Sequence, residues 1–239
     1  MIHVIVLAAD NGSDAAPSIL LQPVGGIPMI RRALIAAELL CHRPTVVVRR
    51  EASEIMRQVG SGCDFVHPRR GSCAVRCALE ASHGSRADEI VVMPADRPLL
   101  TVDTLAKVVL ARYRSGAALA FAAMTLPDFE GPRSAFAECG RIRRDSEGRV
   151  LGILGRGEWE AAKEASHEVD AGYYCFRPDW LRANVAALAA RASGAYDVSD
   201  LVAAAVVQGQ EIRTVAVDDG RECLSVKTPD QLLSGPAER

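Results

Sequence analysis

The sequence has no excess of charge of either sign and no long apolar run. Its 28 basic and 30 acidic residues leave a net charge of −2, so no basic surface for a nucleic-acid backbone is expected. A membrane-spanning helix needs about 18 consecutive apolar residues, and no such run occurs. The apolar segment 2–9 has no Lys or Arg before it and is typical of a buried strand rather than a signal peptide. These absences predict a cytoplasmic protein that binds neither nucleic acid nor membrane.

The sequence also lacks the patterns typical of a disulfide-bonded fold, a zinc site or a catalytic nucleophile. The seven cysteines are an odd number in a chain of 239 residues, and we expect them to be reduced and mostly buried. Cys73 and Cys77 lie four residues apart on a predicted helix, but no further Cys or His cluster completes a zinc site. The five histidines are scattered, so no Ser/His/Asp or Cys/His catalytic arrangement is predicted.

The pattern of the chain indicates one α/β domain over residues 1–239, since no repeat, low-complexity block or linker divides it. Predicted strands and helices alternate, and the runs 2–9 and 89–93 are apolar enough for strands covered on both faces. This order predicts a Rossmann-like, mostly parallel sheet with helices on both faces. The middle third has more strands and turns, which favours a small antiparallel flap over the carboxyl edge of the sheet.

The remaining elements follow from periodicity and capping signals. Further strands are predicted at 45–48, 117–124, 140–145, 149–154, 168–176 and 212–217. Helices are predicted at 29–40, from Ser72, from Thr101, and at 158–166, 179–192, 199–208 and 228–233.

Two strand ends hold the first candidates for chemistry, because ligands bind at the carboxyl ends of parallel strands. Asp96 follows the apolar run 89–93, where a carboxylate suits Mg²⁺ or a hydrogen-bonded turn. The loop 10–17 follows the first strand and contains Gly12. It is either a phosphate-binding loop or an ordinary Asn-Gly turn, and its acidic residues Asp10 and Asp14 disfavour a triphosphate.

Three cations are candidates for binding anions. Arg69 and Arg70 precede the predicted helix at Ser72, whose N-terminus would favour negative charge, although a solvated basic pair is the alternative. Lys227 follows the apolar residues Leu224 and Val226. It is either a second anion-binding cation or a surface lysine with a buried stem.

Eight short motifs, in order, resemble those of the nucleotidyltransferases of the sugar-phosphate type. The resemblance covers nearly the whole chain. It is closest to the pyrophosphorylase domain of N-acetylglucosamine-1-phosphate uridylyltransferase and more distant to MobA-like NTP transferases. The matching segments are Val4 to Ala9, Pro17 to Ile30, Gly71-Ser72, Asp96 to Leu100, Gly140 to Ile142, Glu168 to Gly172, Gly194 to Asp200 and Val226 to Pro229.

The resemblance implies the fold of nucleotide-diphospho-sugar transferases and transfer of NMP from an NTP to a sugar phosphate or similar phosphate acceptor, with release of pyrophosphate. Asp96 would hold Mg²⁺, and Asp96 and Lys227 are the expected catalytic residues. The implied nucleotide-binding residues are Ala8, Ala9, Gly12, Arg69, Gly71 and Ser72. The implied acceptor-binding residues are Gly140, Asp170 and Gly172.

Several departures from the family pattern support a second hypothesis. Asp14 stands about where the family has an Arg, and Ser18 replaces the Lys after Pro17, so both cations that clamp the triphosphate are missing. Lys227 replaces the second metal ligand, and Gly155 lies near the position of a pocket Glu. Either the phosphate site is rebuilt with other cations, or the chain is a catalytically degenerate binding or regulatory protein. The nucleotide base, the acceptor and the oligomeric state stay open.

Overall fold

The computed structural model describes most of the chain. The described residues are 1–8, 18–49, 52–68, 86–162, 166–188, 198–228 and 231.

A mixed, mostly parallel sheet forms the centre of the molecule. Its strands run in the order β11-β7-β10-β6-β1-β4-β5, with the pair β8–β9 attached to β10. Within the described chain, β10 alone runs antiparallel to its two neighbours in this main run. A separate two-stranded hairpin joins β2 and β3. The bounds are β1 Ile2–Leu7, β2 Pro23–Val24, β3 Ile27–Pro28, β4 Thr45–Val47, β5 Asp64–Val66, β6 Glu89–Pro94, β7 Leu119–Thr125, β8 Arg141–Arg144, β9 Val150–Leu154, β10 Glu168–Phe176 and β11 Ile212–Ala216.

Helices cover both faces of the sheet, as the sequence predicts. Alternate residues of β1 face opposite sides of the sheet. One apolar cluster contains Val4, Val6 and Ala8, which follows the strand, and a second cluster contains Ile5. α1 and α3 contribute to the first cluster, and α5 and α6 to the second. The helices are α1 Met29–Glu38, α2 Ser53–Val59, α3 Val102–Ser115, α4 Arg156–Ala162, α5 Pro178–Leu188 and α6 Ser199–Val207. Within the described chain, none of them is long and apolar enough to cross a membrane.

The antiparallel flap is present as the hairpin of β8 and β9. Arg141 pairs with Leu154, and Ile142 pairs with Ile153. A backbone hydrogen bond closes the turn of this hairpin: the Asp145 amide donates to the Arg149 carbonyl at 3.0 Å. Gly148 adopts φ +79° there, a conformation that glycine tolerates without strain.

Capping residues place α3 where the sequence predicts it. The Thr101 side chain accepts from the Thr104 amide, and Gly116 ends the helix in the left-handed conformation. The other predicted elements within the described residues are also present, with ends shifted by a few residues. The predicted helix from Ser72, and all but two residues of the one at 228–233, lie outside the described residues.

The short elements α2 and β5 were not predicted from the sequence. β5 has only three residues and borders β4 on one side, at the edge of the main run. α2 has seven residues, of which Ile55 and Val59 are buried. Such short apolar patterns do not distinguish a strand from a helix.

The five cysteines within the described residues are free thiols: Cys41, Cys63, Cys139, Cys175 and Cys223. Burial raises the pKa of Cys175 and of Cys223 to about 12. These thiols therefore stay protonated at neutral pH, in line with the expected reduced, structural role. Cys73 and Cys77 lie outside the described residues.

A buried ion pair connects α3 to the centre of the sheet. Arg112 of α3 pairs with Glu89 of β6, and both side chains are buried. Cys175 of β10 lies 3.2 Å from the second Glu89 oxygen and donates to it. Removing one member of a buried pair leaves the other charge without a partner.

Arg112→Met should therefore lower the free energy of unfolding by about 3–5 kcal/mol. Arg114→Met, at an exposed position of the same helix, is the matched control and should change it by about 0.5 kcal/mol or less. Urea denaturation measures both, and equal losses would contradict the role given to the buried pair.

Candidate active site

The ends of β1, β4 and β6 form one edge of the sheet. Leu7 pairs with Pro94 across β1 and β6, and the Ala95 amide donates to the Leu7 carbonyl at 2.9 Å. The Ala8 amide donates to the Val47 carbonyl, also at 2.9 Å. Ala8 and Asp96 are therefore on neighbouring strand ends, as the sequence predicts.

Asp96 is held by a segment more than a hundred residues away in the chain. Ser225 Oγ donates to Asp96 Oδ2 at 2.6 Å, and the Val226 amide donates to the Asp96 carbonyl at 2.8 Å. The other carboxylate oxygen, Oδ1, is buried and has no hydrogen-bond partner among the described residues. A buried carboxylate oxygen without a donor is costly, so this atom is suited to a cation.

The segment that carries Ser225 is itself fixed to α3. Glu222 is buried, and its Oε2 accepts from both the amide and the hydroxyl of Thr101 at 3.0 Å. The Tyr173 hydroxyl donates to the Glu222 carbonyl. These contacts position the residues that face Asp96.

Arg97 fills the space between the Asp96 turn and β10. Its Nη1 donates to the Cys223 carbonyl, and its Cζ lies 5.6 Å from the centre of the Tyr173 ring. Burial lowers the pKa of the guanidinium, but the net shift is upward because of four neighbours: Tyr173, Cys139, Asp96 and Asp170. Arg97 is therefore a permanent positive charge beside Asp96.

The three expected acceptor residues come together near the start of β10. Asp170 Oδ1 accepts from the Gly172 amide at 2.8 Å, and Oδ2 accepts from the Tyr174 hydroxyl. The Asp170 amide donates to the Gly140 carbonyl at 3.0 Å. The pairing of β10 with β7 shifts between Asp170 and Tyr174, which is typical of strands that turn a side chain toward a site.

Two of these positions have no room for a side chain. A Cβ on Gly140 would lie 2.6 Å from Ile153 Cγ2, and one on Gly172 would lie 2.9 Å from Arg97 Nη2. Gly172 also has φ +79°, which other residues adopt only with strain. A larger residue at either position would therefore displace the neighbouring side chain.

Lys227 is exposed, and its ammonium makes no ion pair or hydrogen bond within the described residues. Its amide donates to Gln231 Oε1 at 2.7 Å. Burial raises the pKa of the Cys139 thiol. The charge of Asp170 also raises this pKa, whereas the charges of Arg97, Arg141 and Lys227 lower it. Lys227 therefore lies in the same neighbourhood as the acceptor residues.

Five expected nucleotide-binding residues lie outside the described residues: Ala9, Gly12, Arg69, Gly71 and Ser72. The same is true of Asp10, Asp14 and Arg70. The motifs did not indicate the contacts that Arg97 makes with the Cys223 carbonyl and Ser225 makes with Asp96. The position of Arg97 within the turn after β6 was a usable signal, but Ser225 carries no motif.

We expect Gly172→Ala to destabilise the protein more than Gly209→Ala does. Gly209 has φ +62° and open space around it, so its substitution costs backbone strain alone, about 1–3 kcal/mol. Gly172→Ala adds the displacement of Arg97. Combining it with Arg97→Met in a double-mutant cycle should give a coupling of about 0.5–3 kcal/mol, measured by urea denaturation. A coupling of zero would refute the contact between the two positions.

Comparison with known proteins finds relatives over nearly the whole chain. The profile of the family described as "MobA-like NTP transferase domain" matches residues 4–197. The chain is 31% identical over 248 residues to the bifunctional protein GlmU of Kineococcus radiotolerans, covering 98% of this chain and 48% of that protein. It is 29% identical over 237 residues to the bifunctional protein GlmU of Trichlorobacter lovleyi, covering 95% and 50%. The chain thus spans about half the length of the curated relatives it matches.

Solved structures share the fold at low sequence identity. A CMP:2-keto-3-deoxy-manno-octonic acid synthetase complexed with CTP superposes with a TM-score of 0.66 at 17% identity, covering 97% of this chain and 95% of that one. A 4-diphosphocytidyl-2C-methyl-D-erythritol synthase from Anaerococcus prevotii gives a TM-score of 0.63 at 13% identity, covering 98% and 95%. These comparisons confirm the resemblance and the fold class inferred from the motifs, and the chain belongs to the family of MobA-like NTP transferase domains.

Proposed function

We propose that this chain transfers a nucleoside monophosphate from a nucleoside triphosphate to a sugar phosphate or similar phosphate acceptor, releasing pyrophosphate. The observation that carries the proposal is the Asp96 carboxylate. One of its oxygens is fixed by Ser225, and the other is buried without a partner among the described residues. It lies at the strand-end edge of a fold whose family is that of NTP transferases.

The order of the strands supports a division of the edge into two halves. β6, which leads to Asp96, lies between β1 and β10. Ala8 follows β1, whereas Asp170 and Gly172 belong to β10. A nucleotide on the β1 side and an acceptor on the β10 side would then meet at Asp96. Bringing two reactants together in this way is a large part of catalysis of phosphoryl-type transfer.

Mg²⁺ fits the donor available at Asp96. Magnesium is commonly held by one or two carboxylates together with substrate phosphates and water. Within the described residues, no group of three His, Cys, Asp or Glu side chains could hold a metal, and Asp10 and Asp14 lie outside them. Phosphate oxygens of the nucleotide and water would supply further ligands to an ion held by Asp96. Bound there, Mg²⁺ would neutralise negative charge on the phosphates.

The chain's own cations would take over part of the work of the missing loop residues. Arg97 supplies a half-buried positive charge next to Asp96, and exposed Lys227 lies in the same neighbourhood. Asp170, held by Gly172 and Tyr174, offers a fixed acceptor for a hydroxyl of the acceptor molecule. These groups bind and orient the substrates, and no covalent intermediate with the protein is required.

One observation favours a second candidate, a non-catalytic nucleotide-binding or regulatory protein. Ser18 stands where the family has a lysine, and its Oγ accepts from the Leu20 amide at 3.2 Å, capping a short 3-10 turn. Ser18 therefore stabilises this 3-10 turn and supplies no positive charge to a triphosphate.

Asp96→Asn should reduce pyrophosphate release about 100-fold or more, because it removes the negative charge that would hold the cation. Asp103→Asn, at an exposed position in the first turn of α3, should leave the rate unchanged. The assay uses the four nucleoside triphosphates with a panel of sugar and alditol phosphates in Mg²⁺. Release of no pyrophosphate by the unmodified protein with any combination would reject the proposed activity.

The double substitution Asp14→Arg and Ser18→Lys distinguishes the two candidates. In a degenerate site it should raise triphosphate affinity, since each restored charge-assisted contact contributes roughly 1.5–3 kcal/mol. In a site rebuilt around Arg97 and Lys227 it should change affinity little or weaken it. Calorimetric titration with each triphosphate, with and without Mg²⁺, provides the measurement.

A further inference from the structure

Arg141 is a buried cation that has no polar partner within the described residues. It lies on β8 and is 3% exposed, yet its guanidinium makes no hydrogen bond or ion pair within the described residues, and its Nη1 is fully buried. Burying a charge costs several kcal/mol unless it is paired. Two other arginines of the described chain do have polar partners: buried Arg112 pairs with Glu89, and half-buried Arg97 donates to the Cys223 carbonyl.

Two aromatic rings enclose this guanidinium. Its Cζ lies 3.5 Å from the centre of the Phe129 ring and 4.8 Å from that of Trp159. These faces stabilise a cation but accept no conventional hydrogen bond. Trp159 Nε1 is also buried without a partner among the described residues. The cluster thus holds two kinds of N–H donor and, in the described chain, no acceptor for either.

The cluster adjoins the acceptor side of the proposed active site. Arg141 follows Gly140, whose carbonyl accepts from the Asp170 amide. Arg141 pairs with Val169 of β10, one residue before Asp170. The guanidinium belongs to β8, whereas Asp96 follows β6, so an anion bound at Arg141 would be held by a different element from the phosphate that reacts beside Asp96.

Trp159 covers the guanidinium and belongs to a loosely attached helix. Trp159 is the half-buried side chain of α4, while Arg156, Glu158, Glu160 and Ala161 are exposed. Outside this stack, Arg156 joins α4 to Glu138 through an exposed ion pair, and such pairs contribute little. Displacing Trp159 therefore breaks few other contacts of the described side chains.

We propose that Arg141 and the Trp159 N–H bind a second anionic group of the acceptor, distinct from its reacting phosphate, and that the Trp159 ring turns to admit it. The inference rests on the proposed transfer reaction for the identity of the ligand. It names the substrate class more closely, as an acceptor that carries a phosphate or carboxylate in addition to the phosphate that attacks.

Trp159 fluorescence tests this binding without any turnover. The chain has two tryptophans. Trp180, on α5, stacks on Phe176, and Trp180→Phe leaves Trp159 as the single tryptophan. In this background, inorganic phosphate and acetate are titrated at constant ionic strength. We expect a saturable change in Trp159 emission.

The same titration in two further variants assigns the response. Arg141→Met fills the space between the rings without charge and should weaken anion binding about tenfold or more. Arg143→Met, exposed on the same strand, should leave it unchanged. If Arg141→Met does not fold, Arg141→Lys serves in its place, and we expect weaker binding because the planar fork is lost. Unchanged emission with both anions, or equal binding after the Arg141 substitution, overturns the inference.

Sugar phosphates then separate the acceptor from free phosphate as the source of the anion. Glucose 1,6-bisphosphate should bind more tightly than glucose 1-phosphate, and Arg141→Met should abolish that preference. A response to inorganic phosphate without this preference would overturn the acceptor assignment. A chain that shows the preference but releases no pyrophosphate would retain the anion site and lose the proposed reaction, so the two failures are distinguishable.

Discussion

The pairing of β6 with β1 on one side and β10 on the other is the constraint on which the site depends. β6 aligns with β1 over six residue pairs, ending at Leu7 and Pro94. On its other side it meets β10 in antiparallel pairing, with Tyr174 opposite Val92. Because the directions differ, the end of β6 meets the end of β1 and the early part of β10. The turn that carries Asp96 therefore lies between the proposed nucleotide side, at β1, and the proposed acceptor side, at β10.

Within the described chain, three guanidinium groups are buried or enclosed, and each is stabilised by a different means. Arg112 faces a carboxylate in the core and joins a helix to the sheet. Arg97 faces a carbonyl and a tyrosine ring at the site. Arg141 lies between two rings. The first arrangement is structural, whereas the second and third place positive charge close to where phosphorylated ligands would bind.

Much of the fold was predictable because its signals are local. Apolar runs such as 89–93 and caps such as Thr101 and Gly116 fix long elements from a few neighbouring residues. The short elements α2 and β5 were missed because few residues carry their pattern. Part of the site was predictable in the same way: the turn at Asp96 and the glycines at 140 and 172 belong to recognisable motifs. Ser225 was not, because its contact with Asp96 depends on tertiary packing across 129 positions.

The distance along the chain between Asp96 and Ser225 has a consequence for the order in which the protein matures. Synthesis proceeds from the N-terminus, and a domain generally folds as a unit. β1 and β6 are complete long before residue 225 is made, but the segment that fixes Asp96 and contacts Arg97 is then still absent. A nascent chain that already contains both strands therefore lacks the contacts that orient the carboxylate at their edge. The protein would therefore gain the ability to bind its ligand at Asp96 late and abruptly, once residues 220–226 pack against the Asp96 turn.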